Sequence, residues 1–250
     1  SARSGAGTAG TLSGDTTPPS APSELTVGEV TDTSVALSWK EAADNEAVSF
    51  YHVYAQSSDE PIHTLAAPQD AVLYDFDSGT HGFVAVDSDW LAVQGVSIIH
   101  ETSLTHSGAG SMKVSFDALP DDPGTTKKEN YFDVALSNPA IPHAGGVLSA
   151  YVYIPEGAPI QELGISAWGQ GWGNHVATFQ PASALPKGQW FKYSVAFGGN
   201  VPSPRMRFVV GTTGSPGEIY FDTITYSAGT ISTVVEGLEP DTEYTFTVKA

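Results

Sequence analysis

Short runs in which apolar and polar residues alternate are the feature that most restricts the fold of this chain. In "SVALSWK", Val35, Leu37 and Trp39 alternate with small or polar residues, which is the period of a strand buried on one face. About ten further runs of this kind follow between residues 72 and 227, separated by turn sequences such as "SGAGS", "PHAGG" and "GSPGE". The pattern predicts an all-β protein.

Composition restricts the partners. The chain has 10 Lys and Arg against 28 Asp and Glu, a formal net charge of −18. Because binding to phosphates depends on clustered Lys and Arg, this balance argues against nucleic acid and anionic membranes. With no Cys there is neither a disulfide framework nor a thiolate metal site. No apolar run reaches the roughly 18 residues that cross a bilayer.

Two segments far apart in the chain resemble the two ends of one domain. Residues 15–68 open with "TPPSAPSEL" and continue with the strands of "SVALSWK" and "FYHVYA". In residues 229–250, the residues Leu238, Pro240, Thr242 and Tyr244 stand at two-residue spacing. This resembles the tyrosine corner of fibronectin type III domains, where the Tyr hydroxyl bonds to backbone upstream. The resemblance implies one immunoglobulin-like sandwich whose sequence is split.

A structureless connection of about 160 residues is implausible in a compact domain. Residues 69–228 are therefore predicted to form a second domain inserted into a loop of the first. Residues 1–14, rich in Gly, Ala and Ser, are predicted to be a linker. The family's last strand has no counterpart in residues 229–250, so we expect the native polypeptide to continue beyond Ala250.

The insert resembles a carbohydrate-binding family. Its motifs are, in order, "YDFDSGTHGF", "SLTHSGAGSMKVSF", "LSAYVYIP", "LPKGQWFKYSVAF" and "GEIYFDTITY". This order is similar to that of carbohydrate-binding modules of the galactose-binding-like β-sandwich type, which accompany secreted bacterial polysaccharide-degrading enzymes. The resemblance implies a jelly-roll β-sandwich, a secreted or cell-surface location and non-catalytic polysaccharide binding.

Alternation also assigns side chains to faces. In "GVLSAYVYIP" the apolar positions face inward, which leaves Tyr151 and Tyr153 outward. The same argument on neighbouring runs gives a set of outward aromatic and hydrogen-bonding residues: Tyr131, Asp133, Tyr151, Tyr153, Trp168, Arg205 and Arg207, with Trp172 and His175 on or beside the glycine-rich turn after Trp168.

If these strands belong to one sheet, its outer face is a platform for sugars. Pyranose rings pack their C–H faces on aromatic rings, and their hydroxyls bond to Arg and Asp. The alternative is that these aromatics are covered by the neighbouring domain or scattered singly over the surface. Trp190 and Trp90 are expected to pack, and Trp39 to lie in a core.

The resemblance also implies a structural calcium ion. Asp75 and Asp77 lie on the first strand of the insert and Asp222 on its last, and terminal strands are neighbours in such sandwiches. With oxygens from "THSGAGS", Ser107 and Ser111 included, they would suit Ca²⁺, which takes six to eight oxygen ligands. The alternative is that these Asp residues are only strand-end residues.

Catalysis by this chain is not expected. Glycoside hydrolysis needs two carboxylates roughly 5 to 9 Å apart. Glu218 and Asp222 share one face of a strand but stand about 13 Å apart along it. The His residues are isolated, and no nucleophilic Ser motif is present.

The sequence therefore predicts a monomeric, non-catalytic module that holds a larger secreted hydrolase or lyase on its polysaccharide. Neighbouring modules of the same polypeptide are the other expected partners. The net charge favours a neutral β-linked glycan over an acidic one. Two alternatives remain: an architectural spacer or surface-adhesion module with protein contacts, and a polysaccharide lyase or hydrolase.

Overall fold

A computed structural model describes residues 17–44, 48–56, 58–85, 96–117, 128–135, 145–168, 175–198, 205–213 and 215–250. Regular structure in these segments is β-strand, apart from a short 3-10 helix at Ala182–Ala184. The predicted all-β class is confirmed. Across the same segments, no helix has the length and apolarity needed to span a membrane.

The strands follow in chain order as β1 (Ser23–Val30), β2 (Ser34–Lys40), β3 (Phe50–Ala55), β4 (His63–Ala66), β5 (Ala71–Tyr74), β6 (Val84–Ala85), β7 (Val96–Glu101), β8 (Ser111–Phe116), β9 (Lys128–Ala135), β10 (Gly145–Tyr153), β11 (Ile160–Trp168), β12 (His175–Pro181), β13 (Trp190–Gly198), β14 (Arg205–Thr212), β15 (Gly217–Ser227), β16 (Thr230–Glu236) and β17 (Phe246–Lys249). The two-residue β6 is too short to show a period and was not predicted.

The chain divides into two compact units. One, here called the split unit, combines the residues up to Ala67 with those from Ser232 onward. The other, the central unit, is Pro68–Ile231. The identity of the split unit as a fibronectin type III-like domain stays a prediction.

The split unit contains two three-stranded sheets, in the orders β1-β2-β16 and β17-β3-β4. The alternation in β2 buries Trp39, as predicted, and its ring centroid lies 5.6 Å from that of Tyr51 in β3. The Tyr51 hydroxyl accepts a hydrogen bond from the Ala42 N–H at 3.0 Å. The Tyr244 hydroxyl accepts one from the Glu239 N–H at 3.0 Å, which is the predicted bond to backbone upstream.

Replacing Tyr244 with Phe removes this acceptor and keeps the ring, which stacks beside Phe246. We expect the split unit to lose about 1 kcal/mol of unfolding free energy. Hydrogen exchange by NMR checks this: the Glu239 amide should exchange faster. Tyr54→Phe, on the neighbouring strand β3, is the matched control, and equal changes in both variants would contradict the assignment.

The central unit is a sandwich of two sheets. One has the order β13-β10-β15-β8-β7, with β5 also paired to β15, and the other has the order β12-β11-β14-β9-β6. We call them the six-stranded and the five-stranded sheet. The inward positions predicted in β10 are all buried, as are Leu163, Ile165, Phe208 and Val210 of the facing sheet. The predicted jelly-roll β-sandwich is confirmed.

Contacts between the two sheets close the core. Phe208 and Phe221 are both fully buried, and their ring centroids are 4.6 Å apart. The Tyr193 hydroxyl of β13 donates a hydrogen bond to the Leu163 carbonyl of β11 at 2.9 Å. Burial raises the pKa of Tyr193, so this hydroxyl keeps its proton and remains a donor.

Phe208→Ala should therefore lower the unfolding free energy of the central unit by about 3–5 kcal/mol, since it leaves a cavity between the sheets. Urea denaturation measures the loss. Val72→Ala, at a position 56% exposed, is the control and should change the free energy by less than about 0.5 kcal/mol. A loss below about 1 kcal/mol for Phe208→Ala would contradict this account of the core.

Candidate functional site

The five-stranded sheet brings together six of the predicted ligand-binding positions. Its register places Trp168 opposite Arg205 on one side and opposite His175 on the other. The next outward row aligns Ser166, Arg207 and Asp133. A third row contains Tyr131, paired with Val209. We call this the outer face of the five-stranded sheet, defined by the positions Tyr131, Asp133, Trp168, His175, Arg205 and Arg207.

Core-facing neighbours fix the direction of this face. Positions 166 and 168 alternate with the buried Ile165, and position 207 precedes the buried Phe208. The rows therefore lie on the side of the sheet away from the core. Trp172 and Trp90 lie outside the described residues.

Arg207 differs from the sequence prediction in its exposure. It lies on the outer side of the sheet, yet its relative exposure is only 2%. Alternation gives the direction of a side chain but not what covers it, which is why sequence alone placed Arg207 in solvent. Arg207 is thus a buried position within this face.

Tyr151 and Tyr153 do not belong to this face, so the single platform predicted from the sequence is wrong for these two residues. Their strand, β10, pairs with β13 and β15 in the six-stranded sheet. Both sheets of a sandwich have an outward face, and alternation cannot tell one from the other. The ring of Tyr151 stacks on His106, with centroids 3.5 Å apart and planes 13° apart.

His106 belongs to the loop between β7 and β8, Thr102–Gly110, here called the strap loop. Asp222, fully buried in β15, accepts the N–H of His106 at 2.7 Å and of Ser107 at 3.0 Å. Asp77 accepts the N–H of Ala109 at 2.6 Å. Asp75 and Asp77 follow the end of β5 at Tyr74 and do not lie on the strand itself, contrary to the sequence prediction. The carboxylates of Asp77 and Asp222 nevertheless meet at the predicted loop, where they accept hydrogen bonds from its N–H groups.

The strap loop needs glycine at one position. Gly108 has a φ of +59°, and a Cβ there would lie 2.0 Å from an Asp77 carboxylate oxygen. The glycines of "THSGAGS" therefore include one that is required for the close approach of Asp77.

The predicted calcium ligands all have protein partners. The Ser107 hydroxyl bonds to that of Thr223 at 2.8 Å, and the Ser111 hydroxyl donates to the Leu104 carbonyl at 2.7 Å. Asp75 accepts the N–H of Asp77. Within the part of the chain that is described, no three His, Cys, Asp or Glu side chains are grouped as metal ligands. The Asp oxygens accept hydrogen bonds from backbone N–H groups, while the Ser111 hydroxyl donates one to a carbonyl. The calcium site stays a prediction.

Asp222→Ala should destabilise the central unit by about 2–4 kcal/mol, because it leaves the strap loop's N–H groups without their buried charged acceptor. Urea unfolding in the presence of a calcium chelator measures this. Asp117→Ala, an exposed Asp in the same unit, is the control. If chelation alone destabilises the wild type as much as the substitution does, a bound cation holds the loop and the hydrogen-bond account fails.

The six-stranded sheet also has polar groups on its outer face. Lys113 forms an ion pair with Glu218, and the Tyr220 hydroxyl donates to the same carboxylate at 2.7 Å. The hydrogen bond from Lys113 is the main reason that the pKa of Glu218 lies below its usual value. From the sequence, Glu218 is weighed only as a catalytic carboxylate, and this cluster is not predicted.

Comparison with known proteins gives partial matches. No family model matches the chain. A chitinase of Paenibacillus xylanexedens is 55% identical over 40 residues, 16% of this chain and 8% of that protein, so the chain spans only a small part of this relative.

Solved structures similar to the chain include carbohydrate-binding modules and a domain of a bacteriophage tailspike protein. One, from work on promiscuous specificity in modules of the β-sandwich superfamily, has a TM-score of 0.49 and 16% identity over 83% of this chain and 98% of its own. A xylan-binding family 22 module from Paenibacillus barcinonensis has a TM-score of 0.42 and 16% identity over 68% and 99%. A mannan-recognising module has a TM-score of 0.40 and 16% identity over 61% and 93%.

Proposed function

We propose that this chain binds a polysaccharide without catalysis, through the outer face of the five-stranded sheet. The observation that carries the proposal is the strand register: Trp168, His175 and Arg205 occupy one row across three strands, and Arg207 and Asp133 occupy the next. The residue types that bind sugars are thereby neighbours on one flat surface, although they are far apart in sequence.

The chemistry of these positions matches a sugar chain. Neighbouring strands lie about 4.8 Å apart, so the first row puts Trp168 beside His175 and Arg205 within the span of a pyranose ring, and the next row follows with Arg207 and Asp133. Aromatic rings pack against C–H faces, while Arg and Asp form charge-assisted bonds to hydroxyls. Arg207 is only 2% exposed, so it supports the proposal as a position in the row and not as an accessible donor.

A neutral glycan is the proposed ligand class. A sheet face suits internal stretches of a β-linked chain, and the net charge of −18 opposes an acidic polymer. Xylan, mannan and chitin are the polysaccharides to test first, since the names of the similar proteins refer to them.

The acidic residues support a binding role over a catalytic one. Both carboxylate oxygens of Glu218 are engaged, by Lys113 and Tyr220. Its lowered pKa keeps it ionised, whereas a general acid must carry a proton near neutral pH. Asp222 is fully buried and bonded to the strap loop.

The wider setting is part of the same proposal. The split unit, with the Tyr244 bond to upstream backbone, is proposed as a fibronectin type III-like domain. The two units would belong to a secreted, multimodular polysaccharide-degrading enzyme and act as a monomeric targeting segment. Weak binding by one module is then raised by its linkage to other modules.

Native affinity electrophoresis tests the proposed function. Gels are loaded with soluble xylan, mannan, a soluble chitin derivative, a mixed-linkage β-glucan or an acidic pectin. We expect a neutral polysaccharide to retard the chain, and Trp168→Ala to weaken retardation about tenfold or more, since it removes the aromatic position at the centre of the row.

Phe50→Ala is the matched control, because Phe50 is an aromatic residue 52% exposed in the split unit. Its retardation should equal that of the wild type. If no gel retards the wild type, the polysaccharide proposal is lost and an architectural role takes its place. Appearance of reducing ends or unsaturated sugars would instead indicate a hydrolase or lyase.

A further inference from the structure

We propose that the central unit has a second glycan-contacting surface on its opposite side, formed on the outer face of the six-stranded sheet by Trp190, Tyr153, Tyr220, Lys113 and Glu218. This inference rests on the proposed function, since it assigns the same class of ligand to a second surface. We call these five residues the aromatic row.

The register builds the aromatic row across four adjacent strands. Tyr153 of β10 pairs with Trp190 of β13 on one side and with Tyr220 of β15 on the other. Tyr220 pairs in turn with Lys113 of β8. Ring centroids are 5.6 Å apart between Tyr153 and Trp190, and 6.0 Å apart between Tyr153 and Tyr220. Three aromatic rings therefore follow one another perpendicular to the strands. Those of Tyr153 and Trp190 are half-buried, whereas Tyr220 is only 6% exposed and supports the row from below.

Lys113 and Glu218 form the ionic end of the aromatic row. The Lys113 ammonium lies 5.4 Å from the centroid of the Tyr220 ring and is paired with Glu218. The side chain of Glu218 is 38% exposed and that of Lys113 21% exposed, so both heads reach solvent. Their mutual bonds hold them in place, which lowers the entropy lost when a hydroxyl binds to them.

The strap loop limits which part of this sheet face is open. His106 covers Tyr151, and its ring meets Trp190 edge-on with centroids 5.9 Å apart. Tyr153 and Trp190 stay half-buried beside it. The loop thus forms a wall along one side of the aromatic row.

The chemistry of the row favours a neutral glycan as its occupant. A polyanion is opposed by the net charge of −18, and a second copy of the chain would carry the same charge. An apolar protein segment would have to bury the Lys113 and Glu218 heads, which is costly. A sugar chain can place C–H faces on the half-buried rings of Tyr153 and Trp190 and hydroxyls on those heads.

With two surfaces on opposite sides of one sandwich, one molecule could contact two polysaccharide chains at once, or two stretches of one chain. Simultaneous contact raises the overall affinity without any new contact at either surface.

The test uses the whole chain in gels loaded with soluble xylan and, in parallel, soluble mannan. Wild type, Trp168→Ala, Tyr153→Ala and the double variant are compared. We expect Trp168→Ala to bind at least about tenfold more weakly and Tyr153→Ala about three- to tenfold more weakly. The double variant should run unretarded, because it lacks an aromatic contact at each of the two surfaces. Val72→Ala, exposed in β5, is the control and should match the wild type.

A second variant guards against misfolding, because Tyr153 is half-buried. Glu218→Gln keeps size and shape, removes the charge at the end of the aromatic row, and should weaken binding about threefold or more. If both Tyr153→Ala and Glu218→Gln bind as the wild type does while Trp168→Ala binds weakly, the second surface does not exist and the proposed function stands.

Other outcomes separate the two proposals. If Tyr153→Ala loses binding and Trp168→Ala does not, the aromatic row binds and the five-stranded face fails. If neither polysaccharide retards the wild type, both proposals fail for these glycans. If sedimentation shows that Tyr153→Ala abolishes self-association of the wild type without changing retardation, the row is a protein interface and this inference is overturned.

Discussion

The layer of apolar side chains between the two sheets of the central unit is the interaction on which the rest of the structure depends. Phe208 from one sheet and Phe221 from the other meet there, both without solvent exposure. Successive side chains of a strand point to opposite faces, so a residue that points into this layer has sequence neighbours that point outward. The packing of the core therefore decides which residues stand together on the two outer faces.

Buried polar groups complete that arrangement on both outer faces. Asp222 follows the core residue Phe221 and binds the strap loop by two N–H groups, while Arg207 precedes Phe208 and is covered on its own side. A buried charge is stable only where partners replace water. Asp222 thus holds the strap loop against the six-stranded sheet, and its loss would affect the shape of that surface more than the core beneath it.

Much of this arrangement could be predicted from the sequence. The inward set in β10 and the buried Trp39 follow from alternation alone. The wrong prediction for Tyr151 and Tyr153 has a physical reason: alternation gives the face of a strand, whereas the sheet to which a strand belongs depends on pairing between distant segments. The stacking of His106 on Tyr151 and the burial of Arg207 could not be predicted for a related reason: no local sequence pattern encodes what covers a strand.

The central claim is that sugar recognition resides on the strands of the sandwich. Titration of the isotope-labelled chain with a xylan-derived oligosaccharide, followed by amide NMR shifts, tests it directly. The account predicts shifts that cluster on β9, β11 and β14. Asp133 and Arg207 share one row across these strands, and Trp168 stands in the adjacent row. Shifts confined to the split unit, with none on these strands, would contradict it.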